Sequence, residues 1–303
     1  MTPPVTRATA GGRAYLALQA QARRDKRPTS ELFVLYILES FLRRLAGSEH
    51  REHLVLKGGV LLAALGDRRA TRDVDFQGQQ ISNDAADVTR LICGIAALPA
   101  DDDGVVFDID TATTELIREE GGYTGIRVRM AAQLDRAREA FAVDLSVGDP
   151  IEPGPQTISM PTLLGAAPLS LLGYPLEMVL AEKTVTALER GTVNTRWRDF
   201  ADVWTLSRRQ QCSGDDFQTA LHTVAEHRGA ELEPLLPALD GMPELVQRKW
   251  STWRARQSLP VPVPERFAEL LEDLVAFTTA PLTGTAGGCW WSPGQLAWQR
   301  ESS

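Results

Sequence analysis

Lys57-Gly58-Gly59 stands one short apolar segment before Arg72-Asp73-Val74-Asp75-Phe76. Alternate side chains of a β-strand share a face, so Asp73 and Asp75 are expected to project together while Val74 and Phe76 turn into a core. Two neighbouring carboxylates repel unless a cation sits between them. Mg²⁺ (or Mn²⁺) answers that need: such an ion takes oxygen ligands and keeps positions for phosphate oxygens. The glycine pair lets backbone approach a triphosphate, and a helix N-terminus behind it offers N–H groups to the anion. Asp73 and Asp75 are therefore candidate metal ligands and catalytic groups. Lys57, Gly58, Gly59, Thr71 and Arg72 are candidate nucleotide contacts. An isolated D-x-D is usually a pair of surface acids. Asp108-Ile109-Asp110 is such a copy, with no glycine pair before it, and reads as structural. The first copy is set apart by its frame, K-G-G-x-L-L-x(6)-R-x-T-x-D-x-D-F.

Further chemistry-bearing residues lie downstream. Asp144 is the one acid in the apolar run Phe141–Val147. An ionised group there costs free energy unless it is paired or binds metal. Two readings stand: Asp144 lies at an exposed edge or pairs with Arg127 or Arg129, or it is a third acid that binds metal or takes a proton from an attacking hydroxyl. Lys183 falls mid-helix, with Arg190 two turns on, and Asp199 and Asp202 share a face of the next helix. Together they suggest a cation reaching phosphates with acids behind it. Thr71 is either a β-branched residue suited to a strand or a hydroxyl on the face of the acids. In the second case, phosphorylation there would add about −1.5 to −2 charge beside two carboxylates and silence the site.

The elements that must position these groups can be read from pattern. Helices are expected at 13–22 and 31–46, the latter with a stripe of Val34, Ile37, Leu38, Phe41, Leu42 and Leu45. Residues 1–12 are expected to fray. Between about 51 and 150 a mixed α/β sheet domain is expected. Its strands are Leu54–Leu56, Thr71–Phe76, Val105–Asp110, Thr114–Arg118, Gly125–Met130 and Phe141–Val147, with helices at Val60–Leu65 and 84–97. Gly121-Gly122 separates two of the strands at hairpin distance. The Pro-rich stretch 151–168 reads as a linker or wrapping loop. Helices follow at about 175–190, 196–210, 215–228, 242–256 and 264–278, then an irregular Trp-rich tail. The division is thus 1–165 for the sheet domain with its N-terminal helices and 166–303 for a mostly helical domain.

Composition narrows the class. The 303 residues suffice for two domains, and 43% apolar with 24% charged is globular. No apolar run approaches the ~18 residues of a membrane span, and the N-terminus lacks a signal-peptide core. Three cysteines, odd in number and far apart, form no metal or disulfide spacing, so the cytoplasm is the expected location. The histidine pairs His50/His53 and His222/His227 read as helix-surface residues. A net charge of −8 argues against broad nucleic-acid binding but leaves room for a local basic patch, for which Arg196, Arg198, Arg208 and Arg209 are candidates.

The pattern Lys57-Gly58-Gly59, Arg69-Ala70-Thr71-Arg72-Asp73-Val74-Asp75-Phe76, Val143-Asp144, Ala181-Glu182-Lys183, Arg190 and Arg198-Asp199-Phe200-Ala201-Asp202 resembles the AbiEii/AbiGii nucleotidyltransferase toxins of bacterial toxin–antitoxin systems. This group includes the mycobacterial MenT toxins, and the likeness runs from about residue 30 to 210. It implies a DNA-polymerase-β-like nucleotidyltransferase domain with a helical C-terminal domain. Asp73 and Asp75 would hold Mg²⁺, Lys183 would contact the triphosphate, and Asp202, or else Asp199, would be the essential acid of the last motif. The implied activity is transfer of NMP from an NTP, taken as CTP, to the 3′ end of tRNA, with a cognate antitoxin as partner and a monomer as the expected state. Two alternatives stay open: transfer to a small molecule or protein, and a non-catalytic NTP-binding module. One departure is Gly58-Gly59, where polymerase-β-like enzymes carry Gly-Ser; backbone N–H groups would then hold the phosphates.

Overall fold

The computed structural model describes residues 4–66, 68–100, 102–118, 124–257 and 262–300. Helix α1 spans Ala10–Asp25 and α2 spans Thr29–Ala46. The stretch expected to fray is ordered from Ala10 onward. Thr9 caps α1 by accepting from the Gly12 N–H, and Gly11 and Gly12 are buried. The expected stripe of α2 is buried, but so is almost every residue from Leu32 to Leu42. A helix covered on all sides must satisfy its polar groups internally. Ser40 and Arg44 both donate to Asp103 Oδ2, at 2.5 and 2.8 Å, and Tyr36 donates to the Asp103 carbonyl. Glu39 accepts from the Leu163 N–H and from Arg43; burial pushes its carboxyl above the usual range.

The chain next forms β1 (Leu54–Lys57), the single turn α3 (Gly58–Leu61), β2 (Asp73–Gly78) and α4 (Ala85–Ala97). Then come β3 (Val105–Arg118), β4 (Thr124–Leu134), β5 (Ala137–Val147), β6 (Gln156–Met160) and β7 (Leu169–Gly173). They build one seven-stranded mixed sheet in the order β3-β4-β5-β2-β1-β7-β6. The expected Val105–Asp110 and Thr114–Arg118 strands are one strand, because an irregularity between Asp108 and Thr113 absorbs the break in pattern without ending the pairing with β4. Asp108, from the second D-x-D, pairs with Arg138 at 2.7 Å. Gly121-Gly122 lies outside the described residues. The stretch 151–168, expected as a linker, contains β6, which pairs with β7; β7 joins β1 in parallel.

The second unit comprises Pro150–Pro155 and Tyr174–Ser303, and the first comprises Met1–Asp149 and Gln156–Gly173. The sequence places the division at 165/166; β7 falls in the first unit because its pairing partners are β1 and β6. In the second unit are α5 (Leu176–Arg190), α6 (Trp197–Ser207), β8 (Cys212–Ser213), α7 (Gly214–Arg228), α8 (Leu235–Ala238), α9 (Met242–Arg254), α10 (Phe267–Leu282), β9 (Cys289–Ser292) and β10 (Ala297–Arg300). The tail is not irregular. It forms an antiparallel hairpin, β9 also pairs with β8, and Trp291 and Trp298 pack on Phe277 with ring centroids 4.8 and 5.7 Å away. Among the described residues no helix is long and apolar enough to cross a membrane.

Phe267 is the hub of this unit's aromatic packing, in contact with Trp197, Phe200 and Trp250 at 5.9, 5.3 and 5.5 Å. Phe267→Ala should therefore destabilise by about 3–5 kcal/mol, read as a lower denaturation midpoint. A loss under about 1 kcal/mol would show that the three partners repack around the gap.

Candidate active site

β2 presents Asp73, Asp75 and Gln77 on one face, while Val74 and Phe76 are fully buried on the other. Its parallel pairing with β5 sets Asp75 beside Asp144 and Gln77 beside Ser146. β4 sets Arg127 beside Asp144, β3 sets Glu115 beside Arg127, and β1 sets Lys57 beside Asp75. Register partners share a face. Glu115, Arg127, Asp144, Asp75 and Lys57 thus form one row of charges across five strands.

Within the row, Asp144 has a partner. Arg127 Nε donates to Oδ1 at 2.6 Å and Nη2 to Oδ2 at 2.5 Å, a two-point contact around a carboxylate that is 6% exposed. These hydrogen bonds push the Arg127 guanidinium further above its already high range. Arg127 Nη2 also lies 3.7 Å from Asp73 Oδ2, and Nη1 lies 4.0 Å from Glu115. Pattern reading raised Arg127 only as a possible neighbour of Asp144; its alternation within Ile126–Met130 was the available signal. Lys57, expected as a nucleotide contact, is buried with Nζ 3.3 Å from Asp149 Oδ2. Ser146 donates to that same oxygen at 2.9 Å, and Gln77 donates to the Asp149 carbonyl. Asp149 lies just past the end of β5, where strand alternation carries no signal.

The glycine pair has two separate reasons. Gly58 has φ +67°, and a Cβ there would fall 2.0 Å from Asp75 Oδ2, so the carboxylate rests directly against bare backbone. A Cβ on Gly59 would have the Arg69 guanidinium as its nearest neighbour, at 3.3 Å. Behind the pair, the expected helix Val60–Leu65 is the single turn α3, continued by i→i+3 turns to Gly66. Thr71 precedes β2 instead of belonging to it, since the strand starts at Asp73. Its hydroxyl donates to Asp73 Oδ1 at 2.6 Å and orients that carboxylate. Arg72 is exposed.

In the second unit Lys183 on α5 donates to Asp199 Oδ1 at 2.6 Å and Asp202 Oδ2 at 2.8 Å, both on α6. The i,i+3 spacing brings both acids to one ammonium. Arg196 Nη1 lies 3.7 Å from Asp199, and Arg190 is exposed at the end of α5. Of the candidate RNA contacts, Arg198 and Arg209 are exposed, whereas Arg208 stacks on Trp204 at 4.1 Å and pairs with Asp273 at 2.6 Å. Arg208 is thereby tied into the packing of its own unit.

The donor set suits a hard divalent ion. Asp73 and Asp75 offer carboxylate oxygens on one strand face, and Asp73 is 41% exposed. Among the described residues no group of three or more His, Cys, Asp or Glu side chains is placed to hold a metal. Two carboxylates are enough where substrate phosphates complete the shell, as is usual for Mg²⁺.

Paired carboxylates on one strand face, set against a glycine turn, are groups that could hold a metal-bound nucleotide. The family model described as nucleotidyl transferase AbiEii toxin, type IV TA system, matches residues 40–280, and the chain belongs to that family. It is a nucleotidyltransferase of a toxin–antitoxin system, and its family implies a cognate antitoxin. No curated protein matches the sequence. Among solved structures, the chain is similar to JHP933 from Helicobacter pylori, with 16% identity, TM-score 0.40, and coverage of 85% of this chain and 98% of that one. It is also similar to a candidate nucleotidyltransferase from H. pylori, with 13% identity, TM-score 0.33, and coverage of 75% and 98%.

Gly58→Ala should reduce transfer by about tenfold or more, because a non-glycine residue in the left-handed region costs about 1–2 kcal/mol and the added methyl displaces Asp75. Gly59→Ala, which needs no left-handed backbone and places its methyl 3.3 Å from the Arg69 guanidinium, should be milder; equal losses in steady-state assays would refute the distinction. Lys183→Met removes the ammonium shared by Asp199 and the almost fully buried Asp202. It should destabilise by about 3–5 kcal/mol in denaturant titration, with Lys183→Arg recovering part of the loss.

Proposed function

We propose that this protein transfers a nucleoside monophosphate from an NTP, with CTP the first candidate, to the 3′ end of tRNA and so blocks translation. The observation that supports the reading best is the strand face carrying Asp73 and Asp75, with Asp75 seated on Gly58. In the reaction an acceptor hydroxyl oxygen bonds to the α-phosphorus, the α–β bridging bond breaks, pyrophosphate departs, and the hydroxyl proton passes to a base or to solvent. A divalent ion held by Asp73 and Asp75 would lower the charge on the phosphates and on the leaving pyrophosphate.

The chain's own residues supply orientation. Thr71 aims the Asp73 carboxylate, and Gly58 lets Asp75 lie against backbone. We assign Lys183 to the triphosphate, with Asp199 and Asp202 holding its ammonium in place. Arg196, Arg198 and Arg209 are the cations we assign to RNA phosphates, which position an acceptor without reading its sequence. A phosphate on Thr71 would break its hydrogen bond to Asp73 and crowd the acids with further negative charge.

The test is incubation of the purified protein with each labelled NTP, Mg²⁺ and total tRNA, with protein and small-molecule acceptors in parallel. Label in tRNA supports the reading; label only in another acceptor replaces it, and no label with any acceptor favours a binding module. Asp73→Asn and Asp75→Asn should each reduce transfer by about 10³-fold or more while melting no lower than wild type, since removing one of two clustered acids relieves repulsion. Near-wild-type transfer in either variant would remove that residue from the site.

A further inference from the structure

Three carboxylates share the strand face, Asp75 directly beside Asp144 and Asp73 two residues away along β2, yet they are held differently. Both oxygens of Asp144 are taken by Arg127, at 2.6 and 2.5 Å, in a pair that is nearly sealed from water on the carboxylate side. Removing one partner from such a pair leaves a buried charge uncompensated, so an ion that displaced Arg127 from Asp144 would have to make good that loss. Asp73 is different. It is 41% exposed, and its approach to Arg127 is 3.7 Å, an ion-pair distance beyond hydrogen-bond reach. The guanidinium therefore stands between Asp144 and Asp73 as a cation of the protein's own. An arginine cannot release its proton in a protein, so this charge is permanent.

Taking the proposed metal-dependent transfer as its basis, we infer that Arg127 is a resident cation of the acid cluster and that Asp144 is its anchor, so that the metal-holding set of this protein is Asp73 and Asp75 alone. Arg127 does for Asp144 and Asp73 what a metal ion does for clustered acids in general: it lowers their mutual repulsion and lets them be close before any ion or nucleotide arrives. It is a positioning residue, acting through Asp73. β5 thus contributes the anchor for a guanidinium delivered from β4, in place of a third oxygen ligand.

The test measures Mn²⁺ binding by the full-length protein, by calorimetry and by the loss of the free Mn²⁺ spin-resonance signal, with and without a non-hydrolysable NTP analogue. Thermal melts with and without Mn²⁺ run in parallel. Asp75→Asn should weaken Mn²⁺ binding by roughly tenfold or more, whereas Asp144→Asn should hold it within about threefold of wild type. Arg127→Gln should melt several degrees lower and be raised by Mn²⁺ far more than wild type, because an ion then replaces the guanidinium among three acids. The double variant Arg127→Gln/Asp144→Asn should regain much of the lost melting temperature and respond to Mn²⁺ as wild type does. If Arg127→Gln does not fold, the comparison of Asp144→Asn with Asp75→Asn decides alone. Mn²⁺ affinity lost equally in those two variants would make Asp144 a ligand and overturn the inference while leaving Asp73 and Asp75 in the site. A wild-type protein that binds no Mn²⁺ even with nucleotide would overturn the underlying metal-dependent reading, and the inference with it.

Discussion

The parallel register of β2 on β5 is the constraint from which the site follows. It sets Asp75 directly beside Asp144, an arrangement that repulsion alone would push apart. The opposite face of the sheet supplies the opposing force. Val74, Phe76, Phe141, Val143 and Leu145 are buried there, with Phe41 of α2 against Phe76 and Phe141. A slip of one residue would exchange these side chains for the acids, burying charge and exposing aromatic surface. Apolar packing on one face thus holds charged groups together on the other.

The charged face is stabilised locally by counter-charges from neighbouring strands. Arg127 meets Asp144, and Lys57 meets Asp149 within a polar cluster that includes Ser146 and Gln77. Lys57 belongs to the same row as Asp75, and its ammonium lies 3.3 Å from Asp149. On β2, Asp73 is oriented by Thr71 and Asp75 is seated on Gly58. Thr71 is two residues from Asp73, whereas Gly58 reaches Asp75 through the antiparallel pairing of β1 with β2.

The second unit uses a different arrangement for its own buried charge. Lys183 is shared between two acids one helical turn apart; Phe267 of α10 packs on Trp197 and Phe200 of α6, which carries both acids, and a second aromatic cluster gathers around Phe277. The Trp-rich tail belongs to that cluster as a hairpin. Its strands are four residues each, too short for alternation to be visible, and they are specified by Trp291 and Trp298 finding Phe277. Strands β6 and β7 were hidden for a related reason: they are short, flanked by prolines, and defined by partners far away in sequence.

By itself the sequence determined the local matters. Strand alternation put Asp73 and Asp75 on one face, helical spacing put Asp199 and Asp202 on another, and the apolar periodicity of α2, α4 and α5 located those helices to within a few residues. Such features depend on dihedral periodicity and on neighbours a few positions apart, both written in the chain. Tertiary structure alone decided which charges meet. The pairing of Asp144 with Arg127, 17 residues away, and of Lys57 with Asp149, 92 residues away, depends on strand order and register. The burial of α2 on every side depends likewise on what packs around it. Coulombic partners are chosen by distance in space, and that distance exists only after the sheet has formed.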